Sequence, residues 1–284
     1  MFPAAPATSI EVVESGPLRA CLEIKRAILN SSIVQRVSLT HNGARLDFRT
    51  EVDWNERHVL LKAAFPLELR TPQTSFEIQW GHVKRPTHQN TSWDWAKFES
   101  CAQKWIDLSE PDYGVSLLND CKYGHDVKDN VMRITLLRSP AMPDPDADAG
   151  HHEFTYSLLP HSGGLSSETI RQAYALNDPL IAFQATTEPC ATANTPTSMF
   201  SLDRDNVLIE TIKQAEDGNG IIVRPYETLG TRCTVSLQSD FKIQSCTIVN
   251  LLEKQLQPLK PAGSEIRFDI KPFEILSLRL TMAE

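Results

Sequence analysis

Ile33-Val-Gln-Arg-Val-Ser-Leu-Thr-His-Asn-Gly-Ala-Arg-Leu-Asp-Phe-Arg-Thr-Glu-Val-Asp-Trp54 is the stretch on which the reading of the fold turns. Apolar and polar residues alternate on both sides of His41-Asn42-Gly43. In the second half, Leu46, Phe48, Val52 and Trp54 share one face, and Arg45, Asp47, Arg49, Glu51 and Asp53 share the other. Successive side chains of a strand point to opposite sides, so this period of two describes a sheet with one buried and one wet face. Asn-Gly readily takes positive φ angles, and its place between the runs predicts a hairpin.

The same period extends outward. Leu18 to Ile28, Phe76-Ile78-Trp80, Met132-Ile134-Leu136 and Phe154 to Leu158 read as further strands. Val59 to Leu69 is a more continuous apolar run, which predicts a strand buried on both faces. Only Ser166 to Asn177 reads as helix, started by Ser hydroxyls and stopped by Pro179. Residues 186–197 are small and polar with two prolines and read as a linker. Beyond them, short strands recur at Val207–Ile212, Gly220–Arg224, Thr231–Leu237, Ser245–Leu251, Glu265–Ile270 and Ile275–Leu280, separated by turn signals. The expectation is an all-β chain: a large sandwich over 1–185, the linker over 186–197, and a small sandwich over 198–284.

At 284 residues the chain is at the size where one core gives way to two. Its apolar share of 41% and charged share of 23% are those of an ordinary globular protein, and its net charge is −8. That charge argues against nucleic acid or an anionic membrane as the main partner. The N-terminal residues lack a basic start and a continuous apolar stretch, so no signal peptide is read. None of the six cysteines forms a C-x-x-C pair, and they are expected to be reduced, mostly buried small side chains.

Chemistry-bearing residues concentrate in two places. Trp80-Gly-His-Val-Lys-Arg-Pro-Thr-His-Gln-Asn-Thr-Ser-Trp-Asp-Trp95 carries three tryptophans, two histidines and several polar side chains. It reads equally as a self-satisfied ordered loop and as the wall of a ligand cleft. Asp120-Cys-Lys-Tyr-Gly-His-Asp126 is a second cluster, also explicable as a Gly-centred turn with polar flanks. Any single Trp of the five is more simply a core or sheet-edge residue than a sugar platform. Asp144 to Gly150 departs from the calcium-loop template, with Ala149 and Thr155 where glycine and glutamate belong. His151, His152 and His161 have no metal-ligand spacing. A nucleophile elbow, P-loop and dinucleotide fingerprint are absent.

Residues Gly81 to Glu99 closely resemble the C-terminal half of glycoside hydrolase family 38 α-mannosidases, best in their cytosolic and fungal vacuolar branch. Glu51-Val-Asp-Trp54, Leu61-Lys-Ala-Ala-Phe-Pro66, Asp112 to Asp126 and His152 to His161 agree with the family in the same order. The resemblance implies a large galactose-mutarotase-like β-supersandwich followed by a small C-terminal β-sandwich. It implies α-mannoside glycans as ligands, and retention through two carboxyl groups about 5 Å apart. In the family those groups, and zinc or another divalent metal, sit in an N-terminal catalytic domain whose hallmark H-x-H-x-D motif does not occur here.

This sequence therefore reads as the non-catalytic C-terminal portion, with no nucleophile, acid/base or metal ligand assigned to it. Its implied partner is the missing catalytic domain, and its implied place is the cytoplasm or vacuole. Apolar surface left uncovered by that domain would favour a homo-oligomer. Candidate residues of the cleft rim are Trp80, His82, Arg85, His88, Asn90, Asp120, Lys122, Tyr123 and His125. Two other readings stay open: a stand-alone carbohydrate-binding or interaction module, and a mutarotase-like epimerase, for which no histidine–carboxylate pair is fixed.

Overall fold

The computed structural model of the chain describes residues 4–184 and 198–282, so the expected linker at 186–197 lies outside the described residues. Two compact units are present. The first holds residues up to Pro179 except Trp80–His82; those three residues group with Leu180–Glu284 in the second.

In chain order the elements of the first part are β1 (Ser9–Ser15), β2 (Arg19–Ile28), β3 (Ser31–Thr40), β4 (Leu46–Trp54), β5 (Leu60–Pro66), β6 (Gln73–Ile78), β7 (Gly81–Pro86), α1 (Ser92–Ala96), β8 (Ser100–Cys101), β9 (Trp105–Ser109), β10 (Tyr113–Asn119), β11 (Gly124–Lys128), β12 (Val131–Arg138), β13 (Gly150–Ser162) and α2 (Ser167–Asn177). Nine strands form one antiparallel sheet in the order β1-β2-β3-β4-β13-β10-β9-β6-β7, and four form a second in the order β5-β12-β11-β8. The apolar faces of both meet in one core, with Val52, Trp54, Phe76, Ile106, Leu117 and Phe154 from the larger sheet and Met132, Ile134 and Leu136 from the smaller. Alternation made this possible: Met132, Ile134 and Leu136 face inward while Arg133 and Thr135 between them are half-buried on the opposite side.

The β3–β4 hairpin is present, with Leu39 opposite Leu46 and Ser38 opposite Asp47. Its loop is longer than a two-residue turn; Asn42 takes a φ of 58°, and Arg45 bonds to Asp47 at 2.7 Å and to the Gln172 carbonyl of α2 at 2.9 Å. The apolar run at Val59 to Leu69 corrects the expectation of a strand buried on both faces. Strand β5 is at the edge of the smaller sheet, and none of its residues is fully buried. Leu61, Ala63 and Phe65 pack on the core, while Lys62 turns to carboxylates on the other face. The cysteine expectation also needs correction: Cys21 and Cys246 are buried, but Cys101 and Cys121 are exposed, all as free thiols.

In the second unit follow β14 (Phe200–Leu202), β15 (Val207–Gln214), β16 (Ile221–Glu227), β17 (Cys233–Ser239), β18 (Ile243–Val249), β19 (Gln255–Leu259), β20 (Glu265–Ile270) and β21 (Ser277–Met282). A three-stranded sheet, β14-β17-β20, faces a five-stranded one, β15-β16-β21-β18-β19. Val223, Val235, Leu237, Ile266, Leu278 and Leu280 fill the space between. At the end of β16, buried Glu227 accepts hydrogen bonds from Gly230 N at 2.7 Å, Asn206 Nδ2 at 2.9 Å and Phe273 N at 3.0 Å. Burial alone would raise its pKa, but these donors outweigh it and hold the carboxyl below its ordinary value.

Candidate functional site

The tryptophan-rich segment is divided between the two units. Trp80 ends a turn with a φ of 61°, and its ring meets Tyr226 edge-on at 5.2 Å. His82 meets the Phe273 ring edge-on at 5.2 Å. A Cβ on Gly81 would lie 2.9 Å from that same ring, so only glycine fits between them. Trp80 and His82 thus pack within the second unit. In the first unit, the Arg85 guanidinium lies over the Phe76 ring at 5.3 Å. His88 is half-buried with Nδ1 3.8 Å from Asp94 Oδ2, and Asn90 is exposed.

Helix α1 was not expected. Its start is a capping box: Asp94 N donates to Thr91 Oγ1 at 3.1 Å and Thr91 N donates to Asp94 Oδ2 at 3.2 Å. Thr-x-x-Asp was visible in the sequence, but five residues without an apolar periodic face do not read as a helix. Trp93, Trp95 and Phe98 are 77%, 70% and 69% exposed, whereas Trp54 and Trp105 are essentially sealed in the first unit.

The second cluster is a built turn between β10 and β11. Asn119 Oδ1 accepts from Lys122 N at 2.8 Å, and Asp120 Oδ2 accepts from Thr155 N at 2.9 Å. The Lys122 ammonium lies 4.7 Å from the centre of the Phe154 ring. Tyr123 is 51% exposed, while its carbonyl lies 3.1 Å from His125 Nδ1. His125 is wholly buried, and burial pushes its pKa down to about 4, so the ring is neutral at pH 7. It presents no exposed edge to a ligand. Of the nine predicted rim residues, Arg85, His88, Asn90, Asp120, Lys122 and Tyr123 remain at least partly exposed in the first unit.

Two polar networks were missed. On the side of the smaller sheet away from the core, Lys62 Nζ is 2.6 Å from Asp126 Oδ2 and 3.4 Å from Glu99 Oε1. Arg133 completes Asp126 at 2.7 Å, and Thr135 donates to Glu99. The network closes over the glycine of Lys122-Tyr-Gly-His125: a Cβ on Gly124 would sit 2.6 Å from Glu99 Oε1, and the carboxylate would have to shift to admit it. In the larger sheet, Asp107 is 1% exposed and lies 2.8 Å from His161 Nε2. It also accepts from Ser109 at 2.7 Å and Ser116 at 2.8 Å. The hydrogen bond to Asp107 raises the pKa of His161 above its ordinary value. Asp107 could have been noticed as an acid inside the apolar run Trp105-Ile-Asp-Leu108.

Among the described residues, no three His, Cys, Asp or Glu side chains are grouped so as to hold a metal ion. The side chains therefore do not fit the zinc that the family resemblance implies, and no step through a metal is derived from them. A surface depression of about 320 Å³ opens over β1–β4, lined by Glu14, Arg19, Cys21, Arg36 and Arg49 among others, and includes none of the rim candidates. No helix is long and apolar enough to cross a membrane among the described residues.

Comparison with known proteins fits this architecture. Residues 3–146 match the model of the glycosyl hydrolases family 38 C-terminal domain, and residues 206–278 that of the family 38 C-terminal beta sandwich domain. Alpha-mannosidase 2C1 of Mus musculus is 44% identical over 260 residues, which cover 89% of this chain and 25% of the relative. Alpha-mannosidase G of Dictyostelium discoideum is 38% identical, covering 95% and 26%, and an alpha-mannosidase of Saccharomyces cerevisiae is 37% identical, covering 91% and 25%. The chain thus spans about a quarter of the length of these relatives. In the crystal structure of an alpha-mannosidase from Enterococcus faecalis V583, 35% of the chain superposes on 96% of this one with a TM-score of 0.81 at 19% identity, a likeness of fold. From its sandwiches and these matches together, the chain belongs to glycosyl hydrolase family 38, as the C-terminal region of that family.

Proposed function

We propose that the chain is the non-catalytic portion of an α-mannosidase-type glycosidase, supplying scaffold and part of the cleft rim, and that it has no hydrolase activity alone. The observation that carries this reading is coverage: nearly all of the chain aligns with relatives named as alpha-mannosidases, yet only about a quarter of each relative is matched. In this reading the complete protein removes terminal α-mannose from glycans with retention, in the cytoplasm or vacuole. The carboxylate pair that retention requires, and its divalent metal, lie on polypeptide outside these residues.

Within the chain, Tyr123 and Lys122 on the β10–β11 turn, with Arg85 in β7 and His88 and Asn90 after it, are the rim candidates that a glycan could reach. Asp120 and His125 shape the turn rather than touch the sugar. Support for this division comes from burial and bonding: Asp120 accepts a backbone N–H, and His125 is sealed. The test is hydrolysis of 4-nitrophenyl α-mannoside by the purified chain with added zinc. The expected result is no release above the blank, and sustained turnover would overturn the proposal.

A further inference from the structure

The segment Thr91 to Glu99 spends a defined local structure on keeping aromatic rings in water. Trp93, Trp95 and Phe98 are each more than two-thirds exposed, and no residue of α1 is buried. The segment is nonetheless built: the Thr91–Asp94 capping box closes its start, and Lys97 N donates to the Asp94 and Trp93 carbonyls at 3.2 and 3.3 Å. Five residues do not hold a helix by propensity alone. Large rings carried outward on a capped turn have the composition of an interface hot spot.

Geometry selects the occupant. Positions two apart on a helix are about 200° apart around its axis, so Trp93 and Trp95 flank the turn rather than form one flat platform. That shape suits insertion into a groove, and does not suit stacking along a sugar chain. Charge points the same way: residues 83–99 carry Lys84, Arg85 and Lys97 against Asp94, which is used in the cap, and Glu99, which is tied to Thr135 and Lys62. The partner groove is therefore apolar with an acidic rim. The relatives carry about three times as much polypeptide beyond the quarter matched here, which supplies a protein surface large enough to offer such a groove.

From this we infer that Thr91–Glu99 is a docking wedge for the remaining polypeptide of the α-mannosidase-type protein, with Trp93, Trp95 and Phe98 as its anchors. The inference rests on the proposed function and adds the surface through which it operates. In the test, the tagged chain is co-expressed with the part of the mouse relative outside the aligned region. The wild-type chain is expected to co-purify with it in equal amounts. Changing the three anchors to serine (Trp93→Ser, Trp95→Ser, Phe98→Ser) should lower retention at least about tenfold. The control Leu251→Ser with Leu252→Ser alters two other side chains 72% and 77% exposed and should not.

Circular dichroism melts verify that each variant is folded, and Trp95→Ser alone carries the same test if the triple variant is not. Full retention by the triple variant overturns the wedge while leaving the proposed function intact. No retention by the wild-type chain overturns both. Anchor-dependent self-association, or quenching of the wild-type tryptophans by millimolar mannose oligosaccharides that the triple variant loses, overturns the wedge in favour of a second copy or a glycan.

Discussion

Asp107 lies between Ile106 and Leu108 on β9, neither of which is exposed at all, and a carboxylate there is costly unless fully compensated. Its oxygens receive His161, Ser109 and Ser116, and Ser116 passes the network on to Thr169 of α2 at 2.8 Å. His161 can lie so close because the facing residue on β10 is Gly114; a Cβ there would collide with the imidazole. The pair has a pH signature. Because the folded pKa of His161 is raised, its contribution to stability is complete below the unfolded value of about 6.5 and is lost as pH rises through the folded value. Urea midpoints should therefore fall from pH 6 toward alkaline pH in the wild-type chain, and His161→Gln should remove that part of the slope. An unchanged slope in the variant would show that the pair does not titrate with folding.

At the scale of elements, the legible parts are those set by short-range pattern. The β3–β4 hairpin, the alternation of β12 and the helix α2 follow from spacing that a single window of sequence contains. The apolar run at β5 misleads because an edge strand and a central one differ only in their neighbours, and Lys62 gains its place from Asp126, 64 residues away. Asp107 and His161, 54 residues apart, are likewise joined only by the pairing of β9, β10 and β13. The candidate rim was visible as a composition, but not its division: nothing in Trp80–Trp95 signals that Trp80 and His82 pack on Tyr226 and Phe273.

Turn chemistry transfers better. In Asp217-Gly-Asn-Gly220, which joins β15 to β16, Gly220 has a φ of 106°, and a Cβ there would strike the Leu280 carbonyl of β21. Gly220→Ala is expected to destabilise the second unit by about 2 kcal/mol or more, through strain and displaced backbone. Chemical denaturation checks this, and a shift within a few tenths of a kcal/mol of zero would show that the turn yields at little cost.

At the scale of the whole molecule, two sandwiches account for every regular strand among the described residues, and Asp107, Asp126, His161 and Glu227 are engaged in holding those sandwiches together. Asp126 is tied to Lys62 and Arg133, Asp107 to His161, and Glu227 to a ring of donors. In the proposed reading such groups stabilise a scaffold that rims a site whose reacting acids are carried elsewhere. Equilibrium dialysis of the purified chain against zinc, followed by an assay of α-mannoside turnover on the dialysed protein, tests that division most directly. The account predicts no tight stoichiometric zinc and no turnover, whereas one zinc ion per chain with turnover abolished by a chelator would contradict it.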